Sequence, residues 1–230
     1  MSPILRVVIA VLFGGMAAWF LRYRFDRGEP AHWFFTWLVT AAAAGAFSAV
    51  SWWVGDETIS RSFWIVHAMS LSLGVFLIFG FTRSFGSKVD YTLLLWSLPL
   101  MFDLAVIIVD SQFLYRRSGD TWVPRADNAF FYVHLALNIF YIIMSLYYCF
   151  MVYAALRSQE QKEEAVRFRY IFVGLLVIFV SVSVADQLRG TMNPAIPIAE
   201  IGTLLGAALL LIGVVEPKAG FLGRKKQGVA

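Results

Sequence analysis

Seven long apolar runs, at residues 4–22, 32–54, 62–83, 91–109, 128–156, 168–187 and 195–215, constrain this chain more than any motif in it. A run of about 18 residues or more, wound as a helix at 1.5 Å per residue, reaches across a hydrocarbon core about 30 Å thick. Helices are required, because lipid cannot satisfy open backbone groups and the alternating pattern of barrel strands is missing. Composition agrees: 230 residues that are 60% hydrophobic and 15% charged carry more apolar surface than one soluble core can hide. The expected fold is an all-α integral membrane protein, a seven-transmembrane helix bundle over residues 1–217 with a short basic tail at 218–230.

Orientation follows from counting Lys and Arg in the gaps. With the N-terminus outside and the C-terminus inside, thirteen fall on the cytoplasmic side, among them Arg22, Arg24, Arg27, Arg157, Lys162 and the tail cluster Arg224-Lys225-Lys226, against six outside. The first run leads straight into Arg22 without a small-residue cleavage site, which reads as a retained anchor. A multi-pass protein of the cell (inner) membrane is expected. The net charge of +4 is explained by insertion and by anionic lipid, so it is no argument for nucleic acid.

None of the five lysines, Lys88, Lys162, Lys218, Lys225 and Lys226, lies inside an apolar run, which excludes retinal held as a Schiff base. The single cysteine, Cys149, rules out an intramolecular disulfide and a four-cysteine metal site, and reads as a small residue in a helix contact. Between the fourth and fifth runs, Phe113-Leu114-Tyr115 and Thr121-Trp122-Val123-Pro124 flank the turn signal Ser118-Gly119-Asp120, a pattern for a small hairpin over the outer mouth. The fifth run is longer than a membrane needs, and the helix-forming residues 157–164 predict an extension below it. The eight tryptophans, Trp37 and Trp64 among them, mostly fall near the proposed interfaces, as membrane belts require. Gly202 and Gly206 form a Gly-x-x-x-Gly pair for close helix packing, within the monomer or at a homodimer seam.

Chemistry must come from the few ionisable groups inside the runs, each costing about 2.5 to 3.5 kcal/mol at mid-membrane. The fourth run places Pro99, Asp103 and Asp110 on one face. The fifth places His134, Asn138, Tyr141 and Ser145 on an inward stripe, the third offers His67, and the seventh offers Glu200. His67, Asp103, His134 and Glu200 share one depth, roughly 8 to 9 Å below the outer interface, with Asp110, Asp127, Asp186 and Arg189 nearer the mouth. An outward-open polar pocket above a dry floor is expected, with His67, Asp103, His134, Asn138, Tyr141 and Glu200 as ligand-binding residues. Two imidazoles and two carboxylates also form a conceivable metal set, His67, Asp103, His134 and Glu200. Imidazole–carboxylate pairs equally suit a proton or small-ligand sensor, or a polar network that only ties helices together.

Trp19-Phe20-Leu21-Arg22-Tyr23-Arg24, Phe79-Gly80-Phe81-Thr82-Arg83, and Arg167-Phe168-Arg169-Tyr170 leading into Gly174-Leu175-Leu176 resemble the N-terminal seven-transmembrane sensor region of bacterial and archaeal histidine kinases. The resemblance covers residues 4–217. It implies an outer sensing pocket and output through the inner end of the last helix. In those kinases the seventh helix runs on into a signalling domain, whereas here Glu216-Pro217 leads into the tail, so the expected receiver is a separate cytoplasmic signalling protein. A membrane-embedded metalloenzyme using the four-residue metal set, and an accessory subunit of a larger membrane complex, are the alternatives.

Overall fold

The computed structural model describes residues 3–24, 29–85, 92–109, 115–118, 121–124, 129–188 and 198–214, with the side chains of 3, 23–24, 115–118, 121–124, 182–188, 199 and 200 left undescribed. Among them are seven helices: α1 (Pro3–Arg24), α2 (Glu29–Trp53), α3 (Glu57–Arg83), α4 (Thr92–Val109), α5 (Ala129–Ser158), α6 (Lys162–Leu188) and α7 (Ile198–Val214). Five of them, α1 to α5, are long and apolar enough to cross a membrane, while the apolar stretch of α7, Ile201–Val214, is shorter than eighteen residues. The chain is therefore a helical membrane protein. The tail, Asp110, Asp127 and Arg189 lie outside the described residues.

Each helix packs on the next, α7 returns to α1, and α3 additionally touches α5. That closes a ring with α3 as its most enclosed member. α3 starts five residues before its apolar run because Asp56 caps it, its carboxylate accepting from Ile59 N–H at 2.9 Å. It ends with Ser84 N–H on the Gly80 carbonyl and with Arg83 in the last turn, where a cation opposes the helix dipole.

The larger core joins α1, α2, α3, α6 and α7, with Cys149 of α5. Phe13 stands edge-on to Trp37 at 5.7 Å, Phe20 to Phe34 at 5.2 Å, and Phe81 lies 5.3 Å from Phe34. Trp37 and Trp64 are thus core residues rather than interfacial belts, since both are almost fully buried. Cys149 fills a helix contact in the same core, as its size allows. A second, smaller core lies between α3, α4 and α5, whose other faces (Leu94, Leu98 and Phe102; Phe130, Ile143 and Phe150) are exposed apolar surface for lipid.

The α4–α5 connection contains the hairpin, β1 (Tyr115–Ser118) antiparallel to β2 (Thr121–Pro124), with Tyr115 opposite Pro124 and Ser118 opposite Thr121. Its first strand begins at Tyr115, two residues later than the aromatic run Phe113-Leu114-Tyr115 implied. Pro124 occupies a terminal pair, where a missing N–H is tolerated. The expected extension over 157–164 is not continuous helix: α5 passes the fifth run by two residues and ends at Ser158, three non-helical residues follow, and Lys162 opens α6. The Gly202/Gly206 pair packs inside the monomer, against α6; a methyl at Gly206 would lie 2.6 Å from the Gly174 carbonyl oxygen.

Candidate functional site: a buried carboxylate between α4 and α5

Three levels of contact tie α3, α4 and α5 together. Nearest the α2–α3 turn, Ala68 packs on Val106 and Ile107 with Phe131 beside them. Further in, Phe76, Phe79, Leu100 and Tyr141 form an aromatic layer. Asp103 lies between these apolar levels, only 2% exposed.

The Asp103 carboxylate is held from α5. His134 Nδ1 is 2.8 Å from Oδ1, and Asn138 Nδ2 is 3.5 Å from Oδ2. The Asn138 amide also donates to the His134 carbonyl one turn back at 2.8 Å, which fixes its orientation. With Asp103 as a carboxylate, which only accepts, His134 Nδ1–H is the donor. This is a charge-assisted bond in an apolar surrounding, the setting in which losing one partner is expensive.

α3 contributes a residue the sequence reading missed. Ala68, Ser72 and Phe76 recur every four residues on one face, so Ser72 occupies the turn level with Asp103. Ser62, Ser70, Ser97, Ser145 and Ser181 each donate to a carbonyl three or four residues back in their own helix. Ser72 Oγ, 2% exposed as a residue, has no such bond and no partner among the described residues. A serine hydroxyl left out of its own helix is the signal for it, visible only once neighbours are known.

Tyr141 is bonded through its hydroxyl to the helix that carries the carboxylate rather than to the carboxylate itself. Its hydroxyl is used on the α4 backbone, accepting from Leu100 N–H at 3.0 Å and donating to the Trp96 carbonyl at 2.5 Å. Its ring is wedged by Phe76 at 5.5 Å, Phe79 at 5.7 Å and Phe140 at 5.4 Å. These aromatics form an apolar layer one to two turns from Asp103.

His67 belongs elsewhere. Its Nδ1 is 2.8 Å from the Ala44 carbonyl on α2, and because a carbonyl only accepts, Nδ1 carries the proton. Its ring lies 4.6 Å from Trp64, whose indole with that of Trp52 covers the Arg6 guanidinium at 5.7 and 5.3 Å. His67 and Ala68 differ by about 100° around α3, enough to send one to α2 and the other to α4. Two polar centres therefore flank α3, Arg6/His67 on one side and Asp103/His134/Asn138 on the other. Among the described residues no three of His, Cys, Asp and Glu converge as metal ligands, so His67 does not complete a set with Asp103 and His134. The Glu200 and Asp186 side chains are outside the described residues.

No family model matches the chain, and no curated protein or solved structure is significantly similar to it.

Proposed function

We propose that this chain is a seven-span sensor of the cell (inner) membrane, N-terminus outside and C-terminus in the cytoplasm. Its responsive element is the Asp103–His134–Asn138 cluster, reached from outside by a proton or a small hydrogen-bonding ligand, and its output goes to a separate cytoplasmic protein through the inner loops. The observation that carries this reading is the His134 Nδ1–Asp103 Oδ1 contact of 2.8 Å in the interior of helices whose outer faces are apolar. Ionisable pairs inside membrane helices are costly and are the usual seat of proton and ligand responses. The unpaired Ser72 hydroxyl at the same level supports a small guest there. The Lys/Arg distribution supports the orientation, and the resemblance to kinase sensor regions supports an output at the inner side. The folded-back α5–α6 turn, exposed from Arg157 to Glu160, offers an inner surface for that output.

The first probe is the proton. Histidine side chains as a class change charge between about pH 5 and 8. Purified protein in lipid nanodiscs should change its near-ultraviolet circular dichroism reversibly across that range, because Phe79, Trp96 and Tyr141 pack within one or two turns of the pair. Asp103→Asn should abolish the change. A wild-type spectrum that is flat across the range, or a change that Asp103→Asn leaves intact, removes the proton-sensing form of this proposal.

A further inference from the structure

Pro99 lies in the interior of α4. Proline has no N–H, so the Leu95 carbonyl loses its partner four residues on, and the ring presses on that same carbonyl. The adjacent helical pair is Leu100 N–H with the Trp96 carbonyl. Tyr141 Oη is within bonding distance of both members, taking the N–H at 3.0 Å and giving its own proton to the carbonyl at 2.5 Å. A single hydroxyl from α5 thus satisfies a donor and an acceptor that would otherwise need one another. A hydroxyl bonded to both members of an i→i−4 pair competes with their direct bond, and here it does so beside a proline, a recognised cause of helix bending.

The two α4–α5 tethers are in register. Asp103 is three residues beyond Leu100, and Asn138 and His134 are three and seven residues before Tyr141. Pro99 therefore separates the part of α4 held by the carboxylate from the part that runs to Thr92. At its Thr92 end, α4 is also bonded to the last turn of α3, where Arg83 donates to the Thr92 hydroxyl.

We infer that Tyr141 is a latch on a hinge at Pro99. Engaged, its hydroxyl holds Trp96 and Leu100 apart and keeps α4 against α5. Released, Leu100 N–H bonds directly to the Trp96 carbonyl and the half of α4 towards Thr92 moves relative to α5. Disrupting the His134–Asp103 bond removes the other tether and favours release. This inference rests on the proposed sensor reading for its trigger, but the latch is defined by the hydroxyl alone.

Amide hydrogen exchange on the full chain in nanodiscs, at one fixed pH, tests it. Tyr141→Phe keeps the ring and deletes the latch. It should raise exchange across residues 92–104 by about two- to tenfold, the scale set by one net hydrogen bond. His134→Gln should raise the same segment in the wild-type background and add little in Tyr141→Phe, because the latch is already open. Pro99→Ala removes the hinge and should make Tyr141→Phe nearly silent. Unchanged exchange in Tyr141→Phe, independent additive effects of Tyr141→Phe and His134→Gln, or an undiminished Tyr141→Phe effect in the Pro99→Ala background would overturn the latch. A latch that behaves as described in a protein with no response to pH would instead count only against proton sensing.

Discussion

The α6–α7 and α4–α5 pairs are both neighbouring antiparallel helices, yet they are joined by opposite means. Between α6 and α7 the backbones themselves meet. A methyl at Gly174 would lie 2.8 Å from the Gly206 carbonyl oxygen, and one at Gly213 would lie 2.6 Å from Ile171 Cγ1 and 2.9 Å from the Arg167 carbonyl. Between α4 and α5 the joints are side chains: an imidazole on a carboxylate, an amide beside it, and a hydroxyl on a backbone pair. Close-packed glycine contacts have no second arrangement of similar energy, whereas hydrogen-bonded groups can exchange partners or protons. On the sensor reading proposed above, the first pair is the fixed one and the second the one that changes.

The largest effect that tests this contrast is expected at the carboxylate. His134→Leu leaves Asp103 buried with only the long Asn138 contact, and should lower unfolding stability in detergent by about 3 kcal/mol. Replacing both partners, His134→Leu with Asp103→Leu, should recover most of that loss, because two apolar groups need no desolvation. If the double variant is as unstable as the single, the pair is not the isolated switchable joint described here.

Next in size is the glycine seam. Gly206→Ala forces a methyl against the Gly174 carbonyl and Ile178, and should cost about 1 to 3 kcal/mol in the same unfolding measurement. No second substitution on α4 or α5 should relieve it. Leu98→Ala on the exposed face of α4 is the control, expected within about 0.5 kcal/mol of wild type. A Gly206→Ala protein as stable as that control would mean that α6 and α7 can separate without cost, and the contrast would fail.

Particular residues show how far the sequence alone could be read. The inward stripe on α5 holds, since Tyr141, Ser145 and Cys149 are its buried residues and His134 meets Asp103. Periodicity finds a face because helical geometry is local. It cannot choose between two neighbours of one helix, which is why His67 was grouped with Asp103 although it bonds to Ala44. The Lys/Arg count places Arg6 among the six outer charges, whereas its guanidinium is covered by Trp52 and Trp64, a contact among three helices that no spacing in one helix encodes. Pro99 and Tyr141 each lie on a face that periodicity finds. Their meeting depends on the register of α4 against α5, which packing of side chains such as Phe76, Phe79 and Trp96 decides.

The smallest effect lies at the turn that joins the two regions. α5 closes with Gln161 N–H on the Leu156 carbonyl at 3.0 Å and Glu160 N–H on the Arg157 carbonyl at 3.2 Å, the paired bonds of a Schellman cap. That cap needs a left-handed residue, and the chain supplies Glu160 at φ 58°. A residue with a Cβ pays about 1 to 2 kcal/mol there, while glycine returns about 0.5 to 1 kcal/mol of the gain through its freer unfolded chain. Glu160→Gly should therefore stabilise by about 0.5 to 1 kcal/mol, a rise of a few degrees in Tm for a chain of this length. Because Glu160 is exposed and lies in the turn rather than in either helix contact, the gain should add to the losses from Gly206→Ala and His134→Leu unchanged. Coupling to His134→Leu alone would show that the turn moves with the α4–α5 pair; coupling to Gly206→Ala alone would assign it to the rigid side.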